Sequence, residues 1–228
     1  LDELDLDFQI VKPVSDGADE VEVLIAASRK EKVEDRVAAA LSAGLKAIVM
    51  DVESYAAQAA FELTLSQLPE GGKNQVIALV DIGSTVMKIN VFHNGEQMYT
   101  RDQPFGGNQL TQEISNQFNL PSEESEAAKK NGKLPDSYKT EVLQPFCETM
   151  AIEVMRAIQF FYTSTQYTEV NYIFIAGGCA VIPGLKEIIV NPFSTMELSG
   201  RIIPKQLNLD APALLIACGL ALRSFDPS

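Results

Sequence analysis

VIALVDIGSTVMKINVF, residues 76–92, decides the fold. An apolar run ends in an acid, Asp81. A turn of small residues follows, Gly83-Ser84-Thr85, and then a second run that alternates. A strand that ends this way frees the backbone N–H groups of Gly83, Ser84 and Thr85 to face an anion. Asp81 stands where it could hold a Mg²⁺ ion through water or orient an attacking water. The same residues read equally well as a hairpin turn with a capping Asp. Downstream, Asn94-Gly95 is a strong hairpin signal, and EQMYTRDQPF gives a third strand. Residues 76–105 are therefore predicted to form a meander, which counts against a doubly wound dehydrogenase.

Upstream, VEVLIAASR (21–29) reads as a strand. KEKVEDRVAAALSAG (30–44) reads as an amphipathic helix, with Val33, Val37, Ala40 and Leu41 on one face and Gly44 at its C-cap. LKAIVMDVE (45–53) is predicted to be a strand. SYAAQAAFELTLSQL (54–68) is predicted to be a helix with Ser54 as N-cap. This β-α-β-α order favours an α/β class. Beyond the meander, Gly106-Gly107 opens the helix NQLTQEISNQF, and SEESEAAKKNG gives a short helix ended at Gly132. Residues 139–166 form the longest helical region, with Pro145 near its start. NYIFIAGGCAVIPGL reads as strand, Gly-rich turn and helix start. DAPALLIACGLALRSF reads as a buried helix with Asp210 as N-cap. Fewer than two helical turns separate Gly184 from VNPF at 190–193, too few to cross a sheet and return, so a segment is expected to be missing between Ile189 and Val190.

The chain has 228 residues, 46% of them hydrophobic and 21% charged, which suits one large domain or two small ones. Its net charge of −13 and its lack of Lys/Arg clusters argue against non-specific nucleic-acid binding. Cys147, Cys179 and Cys218 show neither metal spacing nor a disulfide framework, which predicts a reducing compartment. The longest apolar stretch, Ala213 to Leu222, is too short to span a bilayer, and no signal peptide is read. The chain starts without Met inside the acidic run LDELDLDF and reads as a fragment of a longer protein.

Two further motifs accompany VDIGST. In IAGGCA (175–180), a buried strand runs into Gly177-Gly178, which allows a ligand close to the backbone. By itself this is also what a tight strand-to-helix turn looks like. Glu126 and Lys129 share one helix face, where a solvated ion pair is the commoner meaning. Gly107 could serve a ribose or simply end a strand. His93 beside Asn94-Gly95 reads as a hairpin residue. No Ser/His/Asp arrangement, metal cluster or Walker loop is found.

The order VDIGST, GGNQLT, E-x-x-K, long helix, IAGGCA, apolar helix resembles the second half of an actin-like ATPase, the superfamily of actin, the 70-kilodalton chaperones, FtsA and MreB. More closely, GGNQLT, GKLPDSY, VLQPFCETMAIEVMRAIQFFYTSTQ, NPF, DAPALLIACGLALRSFD and ASRKEKVEDRV resemble the PilM family of type IV pilus assembly. The resemblance covers nearly the whole chain. It implies an actin-like (ribonuclease H-like) α/β fold lacking its N-terminal part, which in the family carries a first phosphate motif. Residues 1–50 would be the remainder of subdomain IC and 51–75 the returning part of IA. Residues 76–105 and 139–228 would be IIA, and 106–138 would be IIB. It implies ATP and Mg²⁺ as cofactors with slow or undetected hydrolysis. Asp81 would be the catalytic and metal residue. Gly83, Ser84 and Thr85 would be the phosphate turn, Gly107 would lie near the ribose, and Glu126 and Lys129 would flank the adenine. Gly177, Gly178 and Cys179 would form the adenosine motif, although small polar residues are commoner at the Cys179 position. It also implies a cytoplasmic scaffold at the inner membrane that binds the N-terminal peptide of PilN and other pilus assembly proteins, with self-association favoured by the exposed apolar surface. A sugar kinase of the same superfamily would need sugar-binding groups beyond Asp81, which the sequence does not show. An MreB-like filament protein would differ by nucleotide-dependent polymerisation.

Overall fold

The computed structural model describes residues 2–13, 20–182, 188–189, 196–197 and 199–223. The chain divides into two units, Leu1–Glu53 and Ser54–Ser228.

In the first unit, β1 (Leu4–Pro13) pairs antiparallel with β2 (Val21–Arg29), Phe8 lying opposite Ile25. The acidic opening thus contains a strand. Leu4, Leu6, Phe8 and Ile10 alternate with Asp5, Asp7 and Gln9, which is the period of a pleated backbone. α1 (Lys30–Ser42) follows and ends as its glycine predicts. Gly44 has φ 74°, and the Leu45 N–H returns to the Ala40 carbonyl at 2.9 Å, a Schellman closure. The strand expected over 45–53 does not form. Its apolar residues have strand propensity, but no neighbouring strand among the described residues takes up its backbone groups. Leu45, Ile48 and Val49 are each more than half exposed, and no described residue of this unit is buried.

α2 (Glu53–Glu62) starts at the last residue of the first unit, and the second unit then runs through β3 (Val76–Ile82), β4 (Met87–His93) and β5 (Glu96–Gln103). Next come α3 (Gly107–Phe118), α4 (Ser122–Asn131), α5 (Gln144–Ser164), β6 (Tyr172–Ala176) and β7 (Ile188–Ile189), and finally α6 (Pro204–Asp210) and α7 (Leu215–Leu222). The five strands form one sheet in the order β5-β4-β3-β6-β7. The meander is antiparallel, whereas β6 runs parallel to β3 and to β7. Asn94 (φ 51°) and Gly95 (φ 82°) make the expected left-handed hairpin between β4 and β5.

β3 is covered on both faces, which explains its unbroken apolar run. On one face Ala78, Val80, Ile82, Met87 and Ile89 pack under α3 and α5, through Leu110, Ile114, Phe146, Ala157 and Phe161. On the other, Ile77, Leu79, Phe92 and Phe174 pack under α2 and α7, through Ala60, Phe61 and Leu215.

Three local expectations are corrected. α2 starts at Glu53, so Ser54 lies within the first turn and does not cap it. α2 also stops at Glu62 instead of Leu68, where the Thr64 hydroxyl donates to the Phe61 carbonyl at 2.6 Å and a separate short turn, Leu65–Gln67, follows. Asp210 closes α6, an additional helix, and its side chain makes no capping bond to the turn Ala211–Leu214 that precedes α7. The long helix opens as a π-turn, Lys139–Leu143. Pro145 has no N–H to give the Glu141 carbonyl, which is where a wider turn is expected. The helix start after Pro183 and the suspected gap between Ile189 and Val190 lie outside the described residues.

Candidate functional site

The C-terminal ends of β3 and β6 lie side by side, with Asp81 in register with Ala176. Their following turns are therefore neighbours. After β3, the Gly83 N–H donates to the Val86 carbonyl at 3.0 Å and closes the hairpin. Gly83 thus offers no free donor, contrary to the expectation for this turn, because the ladder between β3 and β4 uses it. Ser84 and Thr85 are exposed, and their N–H groups have no partner among the described residues. Two donors of the expected three remain available to an anion.

After β6, Gly177 is buried at φ 85°, and its N–H donates to the Pro212 carbonyl at 2.9 Å. A Cβ there would run into the Asp81 carboxylate and the Ile82 carbonyl. Gly178 is exposed with open space above it, and Cys179 is buried. Asp81 itself is half-buried.

The head of α3 lies over the β3 turn. The Gly107 N–H donates to the Gly83 carbonyl at 3.0 Å, and the Asn108 N–H to the Ser84 carbonyl at 2.8 Å. Gly106 touches the same turn, and a Cβ on it would come within 2.6 Å of the Ser84 carbonyl oxygen. A Cβ on Gly107 would meet the Cys179 Sγ at 2.9 Å and the Lys129 Nζ at 3.5 Å. Cys179 Sγ in turn lies 3.6 Å from the Gly83 carbonyl.

α4 supplies Glu126 and Lys129, 2.6 Å apart. Lys129 is only 10% exposed, so this is not the solvated pair that the spacing alone suggests. Its ammonium also donates to the Thr111 hydroxyl at 2.8 Å and to the Gly107 carbonyl at 3.2 Å. Thr111 donates to Glu126 at 2.6 Å, and Lys130 reaches the other Glu126 oxygen at 3.2 Å. Burial raises the Glu126 pKa, but hydrogen bonds from Lys129, Thr111 and Lys130 and the Lys129 charge outweigh it and hold it at about 2. Burial pushes the Cys179 thiol up to about 11, with Glu126 and Asp81 adding to the rise and Lys129 opposing it. Glu126 therefore stabilises the fold above its ordinary value near 4.5, and that stability is lost as the pH falls toward 2. An acid titration is expected to show stability falling between these limits, and Glu126→Gln to flatten that part of the profile.

All ten residues singled out in the sequence thus fall in one cluster: Asp81, Gly83, Ser84, Thr85, Gly107, Glu126, Lys129, Gly177, Gly178 and Cys179. The sequence reading missed Thr111, Asn108 and the Pro212 carbonyl. Thr111 stands one helical turn after Gly107, a spacing that could have pointed to it. Among the described residues, no group of three or more His, Cys, Asp or Glu could hold a metal ion by itself. A Mg²⁺ ion needs only one or two carboxylates when phosphate supplies its remaining oxygens, so the half-buried Asp81, close to the Ser84 and Thr85 turn, fits one. No helix of the described residues is long and apolar enough to cross a membrane.

Comparisons with known proteins bear on the family and the fold. The family model of the type IV pilus assembly protein PilM matches residues 1–225. The structure is similar to a PilM-PilN type IV pilus biogenesis complex at a TM-score of 0.79 and 25% identity, over 99% of this chain and 68% of that one. It is also similar to the ethanolamine utilization protein EutJ from Carboxydothermus hydrogenoformans (TM-score 0.58, 24% identity, 86% of this chain and 62% of that one). A further likeness is to MreB5 of Spiroplasma citri bound to ADP (TM-score 0.52, 13% identity, 86% and 65%). The last two speak for the fold alone, that of the actin-like ATPases. In sequence, 63 residues are 41% identical to the cell division protein FtsA of Bacillus subtilis (strain 168), 28% of this chain and 14% of that protein. The chain thus spans about two thirds of the solved chains it matches.

Proposed function

The chain belongs to the PilM family of type IV pilus assembly proteins, and on that premise we propose that it is a nucleotide-binding scaffold of the pilus machinery. One observation carries the nucleotide part. The β3 turn, the head of α3 and the Gly177 turn meet at one end of the sheet, and two N–H groups there have no partner among the described residues. Ser84 and Thr85 receive phosphate oxygens. Gly83 and Gly107 keep the backbone close, and Gly177, Gly178 and Cys179 leave room for the nucleoside. Glu126, the more exposed member of the Glu126–Lys129 pair, flanks it, and Lys129 holds Glu126 from behind. Asp81 accepts the water shell of Mg²⁺, whose charge offsets that of the phosphates. Among the described residues, this arrangement supplies no general base at the phosphate turn beyond Asp81, and binding, with hydrolysis weak at most, is the expected activity.

The partner part is likewise a proposal. The similar PilM chain is seen in complex with PilN. Leu6, Phe8, Ile25 and Ile48 in the Leu1–Glu53 unit are each more than half exposed, which supports a protein-binding surface. We assign the N-terminal cytoplasmic peptide of PilN as its ligand. Other pilus assembly proteins and a second copy of this chain are further candidates for the same surface. Through PilN the chain would sit in the cytoplasm at the inner membrane and link the pilus motor to the alignment complex there. Residues 1–50 are assigned to subdomain IC, 51–75 to IA, 106–138 to IIB and the rest to IIA.

The test is calorimetry with Mg·ATP and, separately, with the PilN peptide. Saturable Mg·ATP binding, weakened at least about tenfold by Asp81→Asn, is expected from the loss of one charge-assisted contact. Absence of binding up to millimolar Mg·ATP would remove the nucleotide reading for these residues and leave the peptide titration to stand alone.

A further inference from the structure

An ammonium group has three N–H donors. Those of Lys129 have three protein acceptors within reach: Glu126 Oε2 at 2.6 Å, Thr111 Oγ1 at 2.8 Å and the Gly107 carbonyl at 3.2 Å. With the side chain 10% exposed, water has little access to the group. A ligand could take a donor from Lys129 only by breaking one of these bonds, and each is worth more inside than at the surface.

The acceptors come from separate places. Glu126 is on α4, Thr111 on the second turn of α3, and the Gly107 carbonyl is at the very head of α3. Gly107 is also the residue whose N–H holds the Gly83 carbonyl and whose Cα stands against Cys179. We propose that Lys129 is a positioning residue and not a nucleotide ligand: with Thr111 it latches α4 to the head of α3, and so holds Gly107 and Asn108 down on the phosphate turn. Thr111 is the other half of the latch. Its hydroxyl accepts from Lys129 and donates to Glu126, which ties the two charged groups to one helix turn. Glu126 keeps one oxygen outside this knot, shared among the described residues only with Lys130, which is 71% exposed. Of the pair, the acid is therefore the one open toward solvent. The proposal rests on the nucleotide reading of the site, but the latch can be measured without any nucleotide.

Cys179 reports on it. The thiol is buried under Gly107 and held protonated, so it reacts only when Gly107 lifts. Alkylation by iodoacetamide at pH 8 is followed on the Cys179 peptide by mass spectrometry, beside each variant's thermal midpoint. Thr111→Val and Lys129→Met are expected to speed labelling at least about tenfold, the effect of losing one charge-assisted bond from a local opening. Thr111→Ser keeps the hydroxyl and is expected to label at the parental rate. Lys130→Met removes the other lysine from Glu126 and should do the same. Parental rates in Thr111→Val and Lys129→Met would overturn the latch. So would equal acceleration in Thr111→Ser and Lys130→Met. If Lys129→Met fails to fold, Thr111→Val and Thr111→Ser still decide. Mg·ADP titrations of the same proteins separate the two ideas. A parent that binds no nucleotide contradicts the function proposed above and leaves the labelling result standing. A parent that binds, with affinity lost in Lys129→Met but kept in a fast-labelling Thr111→Val, makes Lys129 a direct ligand and overturns the proposal.

Discussion

Gly177→Ala is expected to abolish nucleotide binding and to destabilise the Ser54–Ser228 unit together. Two causes add. Gly177 sits at φ 85°, where an L side chain is strained by about 1–2 kcal/mol. Its Cβ would also meet the Asp81 carboxylate and the Ile82 carbonyl, and the latter is backbone inside the central strand. Overpacking of that kind costs about 1–3 kcal/mol more. Relief requires either that Asp81 turn away or that the ends of β3 and β6 move apart. The first removes the carboxylate from the site, and the second separates the two turns that make it. Urea unfolding of the variant is expected to show a loss of about 2–5 kcal/mol, and a Mg·ATP titration no saturable heat. Wild-type stability would mean that β6 gives way freely at this point.

Gly219→Ala is expected to be more damaging to the fold, although it is remote from the chemistry. Gly219 lies inside α7 and is buried against α2. A Cβ there would overlap the Ala56 carbonyl, with the Ala56 Cα only 3.0 Å away. The helices cross backbone to backbone, with Ala56, Ala57 and Ala60 on one side and Gly219 on the other, so no flexible side chain can yield. α7 must lift away from the face of Phe61, Phe174 and Leu215, which opens a gap in a packed core. A loss of at least about 3 kcal/mol is expected in chemical denaturation, at or above the upper end for overpacked sites. Gly219→Ser should be at least as severe, since it adds a hydroxyl to the same overlap. A neutral Gly219→Ala would show that α7 does not pack this tightly on α2.

Much of this was readable in the chain because it is local. The meander, the Asn94-Gly95 hairpin and the glycine stops at Gly44 and Gly132 each depend on residues within a few positions of one another. The order of the motifs also anticipates that their residues lie together, since β3 and β6 must be neighbours for Asp81 and Gly177 to meet. What escaped depends on partners distant in sequence. LKAIVMDVE has the residues of a strand, but a strand needs a neighbour, and none is described for it. The acidic opening reads as charge, while its alternation pairs it with β2. Ser54 and Asp210 are good capping residues at positions where the helices begin and end otherwise. By spacing alone, Glu126 and Lys129 read as a surface pair. Only the packing of α4 on α3 buries the lysine and brings Thr111, fifteen residues before Glu126, into the same knot.

The measurement that tests the central claim most directly is the response of backbone amides to Mg·ATP in a ¹⁵N-resolved NMR titration. The account predicts that Ser84 and Thr85 shift with a single saturating curve, that Gly107 and Gly178 follow the same curve, and that Gly177→Ala removes the response. Shifts confined to other parts of the chain, or none at Ser84 and Thr85 up to millimolar nucleotide, would contradict it.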